Sequence, residues 1–146
     1  PQLDLEREKA VQACVLEAIR GGLIRSAHDC SDGGLAVALA ESCLSAPAGP
    51  LGAVVQLAPS GLRRDALLFG ESQSRIVVSA GPDLAEDVLQ AARTRGVPAA
   101  AIGRVGGSRL VVEVAADRWG PACRIDADLA ALHDAWANSL ERALEP

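Results

Sequence analysis

The polar turn at residues 28–34 holds the side chains best suited to bind a ligand. It reads His-Asp-Cys-Ser-Asp-Gly-Gly and separates a short apolar stretch, residues 22–27, from a run rich in alanine and leucine, residues 35–44. The first stretch has the composition of a buried strand, and the second favours a helix. Asp32, or Ser31 beside it, is suited to cap the start of that helix. The segment therefore predicts a strand end, a tight turn and a helix start in close succession.

Two adjacent glycines in this turn allow an anion to approach the helix. Gly33 and Gly34 have no side chain to block the free N–H groups of the first helical turn, so a phosphate has room to bind there. Asp29 and Asp32 repel a bare phosphate unless a metal ion or a basic group offsets them. The alternative is a capped turn in which the glycines serve backbone geometry alone. The candidate ligand contacts of the turn are Asp29, Ser31, Asp32, Gly33 and Gly34.

A second polar segment stands directly before a stretch that reads as a strand. Glu71 can accept hydrogen bonds or hold Mg²⁺, and Arg75 can pair with a carboxylate or a phosphate. Ser72 and Gln73 can each donate and accept. The alternative is that Glu71 and Arg75 pair with each other or with the polar turn. We expect the two polar segments to lie side by side and to line one recess that binds charged oxygens.

The cysteines do not indicate a metal or redox site. Cys14, Cys30, Cys43 and Cys123 lack Cys-x-x-Cys spacing, and the chain has only two histidines. We expect Cys14 and Cys43 to be small core residues of helices. Cys30 lies two residues after His28, but no third group is placed to orient a catalytic pair. The sequence therefore gives no catalytic residue and leaves any metal ligand unknown.

Helical and extended patterns alternate along the chain. Asp4 can cap the first helix and Gly21 can end it, Asp83 or the residue before it can cap the third, and Trp136 lies on the apolar stripe of the last. The strands on either side of Gly106 are expected to form a hairpin. The predicted helices cover residues 5–20, 35–44, 83–95 and 126–144, and the predicted strands cover residues 22–27, 52–57, 75–79, 98–105 and 109–114. This order predicts an α/β or α+β fold with a mixed sheet covered by helices.

Composition restricts the classes of function. The chain has 146 residues, of which 49% are hydrophobic, so it can form one core. Its net charge is -5, and no segment combines clustered arginine with aromatic residues, so we expect no nucleic-acid partner. No apolar run approaches the roughly twenty residues of a membrane span, and the charged start does not resemble a signal peptide. We therefore expect no membrane contact and a cytoplasmic location.

Three sequence blocks resemble the C-terminal module of the phosphoribosylformylglycinamidine synthases, a family within the aminoimidazole ribonucleotide synthetase-related superfamily. The blocks are residues 28–41, residues 68–75 and residues 102–107, and they follow one another in the family's order. The resemblance spans nearly the whole chain. It implies that residues 1–146 are a single C-terminal module of a larger synthetase subunit, without its N-terminal nucleotide-binding modules.

The resemblance also implies an activity, cofactors and partners. Full-length members convert formylglycinamide ribonucleotide to its amidine with ATP, Mg²⁺ and ammonia from a separate glutaminase subunit, and a small bridging subunit joins them. The partners would be the other modules of the same subunit and these two proteins, and an isolated module could form a homodimer. Glu71, Ser72 and Gln73 are implied as contacts to substrate or nucleotide, at either the catalytic or an auxiliary nucleotide site. The module alone is expected to be inactive.

Two other interpretations fit the same residues. The chain could be the matching domain of another superfamily member such as selenophosphate synthetase or thiamine-phosphate kinase, although the Glu-Ser-Gln-Ser-Arg block favours the purine enzyme. It could also be a structural docking module with a degenerate site. Cys30 departs from the small aliphatic residue common at its position in the family, which argues further against a role for its thiol.

Overall fold

The computed structural model describes residues 4–144, which divide into two compact units. The first unit contains residues 4–38 and 65–101, and the second contains residues 39–64 and 102–144. The helices are α1 (Leu5–Arg20), α2 (Gly34–Leu44), α3 (Arg64–Phe69), α4 (Ala85–Thr94), α5 (Leu129–Ala137) and α6 (Ser139–Leu144). The strands are β1 (Ser26–Asp29), β2 (Ala53–Leu57), β3 (Ile76–Ser79), β4 (Gly103–Val105), β5 (Arg109–Val114) and β6 (Cys123–Asp128). The mixed α and β class predicted from the sequence is confirmed.

Helix α1 has the bounds that its sequence signals predict. The Asp4 side chain accepts a hydrogen bond from the Arg7 backbone N–H at 3.0 Å, and Gly21 follows the last helical residue. The helix buries Val11, Cys14 and Ala18 along one face. A capping carboxylate at one end and a glycine at the other are sufficient to set its limits.

In the first unit, β1 and β3 form a two-stranded antiparallel sheet. Ser26 lies opposite Ser79, and their hydroxyl oxygens are 2.6 Å apart. The buried strand predicted at residues 22–27 is wrong in its start and in its burial, because β1 begins only at Ser26 and three of its four residues are exposed. The residues just before it follow the end of α1 instead. Gly22 has a φ of +68°, and the Leu23 N–H donates to the Ala18 carbonyl oxygen at 2.9 Å.

Helix α4 begins later than predicted. Its N-cap is Leu84, which provides no side-chain hydrogen bond, so the predicted cap at Asp83 or the residue before it is wrong. The Leu84 N–H donates to the Gly81 carbonyl oxygen at 3.0 Å. Asp83 therefore lies inside a turn that precedes the helix.

In the second unit, four strands form a mixed sheet in the order β4-β2-β5-β6. β2 and β5 run parallel, whereas the two outer pairs are antiparallel. Alternate residues of β2 face the core, and β5 is buried on nearly its whole length. The buried apolar residues of this sheet are Ala53, Val55, Leu57, Leu110, Val111, Val112 and Val114.

The predicted hairpin around Gly106 is wrong, because β2 lies between the two strands that it would join. Gly52 exchanges backbone hydrogen bonds with both glycines of the turn, donating to the Gly107 oxygen at 2.8 Å and accepting from the Gly106 N–H at 2.7 Å. A Cβ on Gly52 would lie 2.4 Å from the Arg109 carbonyl oxygen. Only glycine lets the backbone at residue 52 lie this close to the backbone at Arg109. The local sequence pattern does not predict this contact.

The C-terminal segment is part strand and part helix. The predicted helix over residues 126–144 begins at Leu129, because the preceding residues pair with β5 as β6. Asp128 caps α5 by accepting from the Ala130 and Ala131 N–H groups at 2.9 and 3.2 Å, and Asn138 separates α5 from α6. Trp136 remains 59% exposed. None of the helices within residues 4–144 has both the length and the apolar character needed to cross a membrane.

Candidate functional site

The structure brings the two polar segments together in the first unit. The backbone N–H of Cys30 donates to the Arg75 carbonyl oxygen at 3.0 Å, which extends the β1–β3 pairing by one step. A few residues on, the Gly33 N–H donates to the Glu71 side-chain oxygen Oε1 at 3.0 Å. The polar turn and the segment of residues 71–75, which we call the tip loop, are therefore neighbours although about forty positions separate them in the chain.

The glycine pair serves the backbone as well as any ligand. Gly33 and Gly34 have φ values of +73° and +70°, which side chains other than glycine rarely adopt. A Cβ on Gly34 would lie 2.7 Å from the Phe69 carbonyl carbon and 2.9 Å from the Gly70 oxygen. The glycine therefore lets the start of α2 pack against the end of α3.

The predicted cap of α2 is wrong. Because the helix begins at Gly34, the capping position falls on Gly33 rather than on Asp32 or Ser31. The carboxylate that accepts a hydrogen bond at this helix start is Glu71, from the tip loop. A negative charge there is favoured by the helix dipole. The alternative that Glu71 pairs with the polar turn is therefore confirmed for one of its two carboxylate oxygens.

The other acidic groups of the turn point to solvent. The Ser31 hydroxyl donates to Asp29 Oδ2 at 2.5 Å, and this bond lowers the pKa of the Asp29 carboxyl below its usual range. His28 Nδ1 is 2.7 Å from the Asp29 carbonyl oxygen. Asp29, Ser31 and Asp32 are all exposed. At neutral pH the Asp29 carboxylate of the turn is therefore ionised.

The tip loop is held at its C-terminal side by Arg75. Its guanidinium donates to the carbonyl oxygens of Gly70 and Leu67, both at 3.0 Å. Arginine at the end of a helix commonly satisfies carbonyl groups that have lost their helical partners. Arg75 therefore closes the end of α3, and these two donors are engaged within the chain rather than by a carboxylate.

Ser72 and Gln73 are exposed, as is Glu71 before them. Within residues 4–144, neither side chain makes a hydrogen bond to the rest of the chain. Both can donate and accept. The next residue, Ser74, has a φ of +63°, and its hydroxyl donates a hydrogen bond to Glu8 Oε2 at 2.5 Å. No local pattern predicts the contact between Ser74 and Glu8, because the two residues are 66 positions apart.

The charge of the site decides which ligand groups it suits. Asp29, Asp32 and Glu71 are acidic, whereas the one guanidinium of the two segments, Arg75, is engaged by carbonyl oxygens. Such a surface suits hydroxyl or N–H donors, and a phosphate needs positive charge from elsewhere. No group of three or more His, Cys, Asp or Glu side chains in residues 4–144 is placed to hold a metal ion. We therefore name no magnesium ligand.

The cysteine of the polar turn is not suited to nucleophilic chemistry. Cys30 is 3% exposed, and burial raises the pKa of its thiol. Because the thiolate is the reactive form, both effects lower its reactivity at neutral pH. Cys14 and Cys43 are buried, as predicted for core residues.

Comparisons with known proteins give one family. Residues 1–115 match the family described as AIR synthase related protein, C-terminal domain. The chain is 60% identical over 114 residues to phosphoribosylformylglycinamidine synthase subunit PurL of Moorella thermoacetica, covering 78% of this chain and 15% of that protein. It is 41% identical over 145 residues to the PurL of Caldanaerobacter subterraneus subsp. tengcongensis, covering 99% of this chain and 19% of that protein. The chain thus spans less than a fifth of the length of these curated relatives.

Solved structures show the same fold. The structure titled "T. maritima PurL complexed with ADP" superposes with a TM-score of 0.70 and 25% identity, covering 90% of this chain and 22% of that chain. "T. maritima PurL complexed with FGAR" gives a TM-score of 0.68 and 26% identity over 86% of this chain and 20% of that chain. "Structure of PurLQS from Thermotoga maritima" gives a TM-score of 0.70 and 25% identity, covering 90% of this chain and 22% of that chain.

Proposed function

We propose, because the chain belongs to the AIR synthase related protein C-terminal domain family, that it is the C-terminal domain of a phosphoribosylformylglycinamidine synthase subunit. The whole subunit would be an ATP-dependent carbon–nitrogen ligase of purine biosynthesis. It would convert formylglycinamide ribonucleotide to its amidine with glutamine-derived ammonia in the cytoplasm. The identity of 60% to a PurL segment supports this assignment over the other members of the superfamily.

One observation carries the proposed role of this domain. The tip loop and the polar turn are joined by the hydrogen bond between the Gly33 N–H and Glu71 Oε1, and they leave Ser72 and Gln73 unbonded and exposed. We propose that these segments form one wall of a ligand site. Its contacts would be Asp29, Ser31, Asp32, Glu71, Ser72 and Gln73, with Gly33, Gly34 and Arg75 shaping the backbone.

The acidity of this wall limits what it contacts. Hydroxyl and amide groups of a ribonucleotide match its free acceptors, whereas the phosphates would be bound by other modules of the subunit. When bound, ATP would supply the phosphoryl group that activates the amide oxygen, with Mg²⁺ on its phosphates. The wall of this chain would orient the ligand. The glutaminase and the small bridging subunit would be further partners of the full-length protein.

The test is ligand affinity in the full-length subunit. Replacing Ser72 and Gln73 together by alanine removes two neutral hydrogen bonds, each of about 1 kcal/mol, so we expect affinity for formylglycinamide ribonucleotide or for ADP with Mg²⁺ to fall about thirtyfold. Ser45→Ala, an exposed serine of the second unit, is the matched control. Unchanged affinity for both ligands would refute the proposed wall.

A structural docking module with a degenerate site is the second candidate. It is favoured by the internal bonds of Glu71 and Arg75, which satisfy the chain without a ligand. Unchanged affinity in the Ser72 and Gln73 variant, together with retained activity of the subunit, would support it. Under either candidate the isolated chain should be inactive, so amidine formation by the chain alone with ATP and ammonia would contradict both. Sedimentation of the isolated chain tests whether it forms the proposed homodimer.

A further inference from the structure

Ser74 has an unusual backbone conformation for its residue type. Within residues 4–144 it is the one residue other than glycine with a positive φ, at +63°. The left-handed region is disfavoured for residues with a Cβ. Such a conformation persists where the surrounding structure holds it, and it is often found at functional sites. The contacts of Ser74 should therefore show what holds its backbone in this conformation.

A hydrogen bond to α1 holds Ser74 in place. Its hydroxyl donates to Glu8 Oε2 at 2.5 Å, and the other carboxylate oxygen of Glu8 accepts from Gln12 Nε2 at 2.7 Å. The hydrogen bond from Ser74 also lowers the pKa of Glu8, so the acceptor is ionised at neutral pH. Helix α1 is itself anchored, because its Glu17 forms an ion pair with Arg95 at the end of α4.

The tip loop is therefore fixed on both sides of its exposed residues. Glu71 is bound to the Gly33 N–H on one side, and Ser74 is bound to Glu8 on the other. Only Ser72 and Gln73 lie between these anchors. The handedness of the backbone at Ser74 sets the direction in which the two free side chains point.

We infer that Glu8 is a positioning residue of the tip loop. By holding the hydroxyl of Ser74 it keeps that residue left-handed, and it thereby orders Ser72 and Gln73 before any ligand binds. Preordering of this kind lowers the conformational entropy lost on binding. The inference rests on the proposed function only for the identity of the ligand that the ordered side chains meet.

The first test needs no ligand. In Glu8→Ala, ¹⁵N relaxation should show the amide order parameters of Ser72 and Gln73 falling from about 0.85 to below about 0.6. Glu8→Gln keeps an oxygen that accepts from Ser74, so it should restore the order. Glu6→Ala, on the same first turn of α1, is the control and should change nothing. Unchanged order in Glu8→Ala, or failure of the glutamine to restore it, would overturn the inference.

A second variant separates positioning from folding. Ser74→Gly removes the hydroxyl but accepts a positive φ without strain, and because the relief of strain offsets the lost hydrogen bond and the greater freedom of the unfolded chain, its urea midpoint should stay close to that of the parent. Its tip loop should nevertheless lose order as in Glu8→Ala. A fully ordered tip loop in this variant would mean that the hydroxyl does not hold it, which contradicts the inference.

The third measurement concerns binding and distinguishes the two proposals. In the full-length subunit, Glu8→Ala should weaken binding of ADP with Mg²⁺ or of formylglycinamide ribonucleotide severalfold, and Glu8→Gln should restore it. If the tip loop loses order but neither Glu8→Ala nor the double alanine variant of Ser72 and Gln73 changes affinity, the positioning stands and the proposed function fails. If the double variant weakens binding while Glu8→Ala changes neither order nor affinity, the positioning fails and the proposed function stands.

Discussion

Replacing Gly34 by alanine should strongly destabilise the first unit. The new Cβ would lie 2.7 and 2.8 Å from the Phe69 carbonyl carbon and Cα and 2.9 Å from the Gly70 oxygen, all of them backbone atoms. Relief of this overlap requires α2 and α3 to separate, which costs about 1–3 kcal/mol for overpacking. The φ of +70° adds about 1–2 kcal/mol for a residue with a Cβ. The sum, about 2–5 kcal/mol, is a large part of the about 5–15 kcal/mol that stabilise a typical domain.

A matched glycine isolates the contribution of the overlap. Gly22 has nearly the same φ, +68°, but a Cβ there would have no neighbour within 4 Å. Gly22→Ala should therefore show the conformational cost alone. Urea unfolding should be followed by far-UV circular dichroism, because Trp119 and Trp136 both lie in the second unit and report on that unit. With a slope of about 1.5–2 kcal/mol per molar urea, Gly34→Ala should lower the midpoint by about 1–3 M, and Gly22→Ala, which has only the conformational cost, by about 0.5–1.3 M. Equal midpoints for the two variants would refute the close approach of α2 and α3.

Three further outcomes follow from the contacts of single side chains. Glu71→Ala should lower the free energy of unfolding by about 1 kcal/mol, as for loss of a helix cap, and Glu71→Gln by less; urea unfolding measures both. The pKa of Asp126 is lowered by a hydrogen bond from Arg109 and, to a smaller extent, by one from Arg124. Arg109→Ala should therefore raise this pKa, which a ¹³C titration of the carboxyl group measures. Since that folded-state pKa is lowered, the stabilisation by Asp126 is present above its unfolded-state pKa and fades as pH falls through the folded-state value; a pKa unmoved by the arginine's removal would contradict this. Cys30 should react with iodoacetamide more slowly than the half-buried Cys123 in the folded protein, and equal rates by mass spectrometry would contradict the burial of its thiol.

Elements whose limits depend on neighbouring residues were predictable from the sequence. Helix α1 begins after Asp4 and ends before Gly21 because both signals act within one helical turn. The start of α2 was predicted within one residue for the same reason. Its cap was not, since the carboxylate that provides the bond is Glu71, which is 38 positions away.

Strand pairing depended on contacts that the local pattern does not contain. A glycine pair between two extended segments favours a hairpin, but β2 enters between β4 and β5 and replaces that pairing. The deciding residue is Gly52, whose lack of a side chain admits the third backbone. Likewise β6 alternates half-buried Ile125 and Ala127 with exposed charges, and apolar residues further along gave the appearance of one long helix. Three charged residues of this face, Arg109, Arg124 and Asp126, are joined by hydrogen bonds across β5 and β6.

The sequence named the polar residues of the candidate site but not their partners. That the turn and the tip loop are neighbours follows from the β1–β3 pairing, which joins the strand before the turn to the strand after the tip loop. The roles within the site do not follow from composition. The position of Arg75 before a strand suggested a ligand contact. In the structure its guanidinium instead donates two hydrogen bonds to carbonyl oxygens at the end of α3. Glu8 is one of two acidic residues in the first turn of α1, and nothing in the local sequence marks it as the acceptor of a hydrogen bond from the Ser74 hydroxyl.

The position of Glu71 changes the interpretation of the glycine turn. A helix N-terminus attracts anions through its free N–H groups, and the sequence suggests a phosphate there. In the structure a carboxylate of the same chain already accepts the Gly33 N–H, and Asp29 and Asp32 lie in the same turn. A phosphate would have to displace a tethered anion and approach two further negative charges, and each of these is unfavourable. A phosphate is therefore not expected at the helix start, whose carboxylates suit hydroxyl or amide groups of a ligand, and Ser72 and Gln73 add hydrogen-bonding groups that are free and neutral.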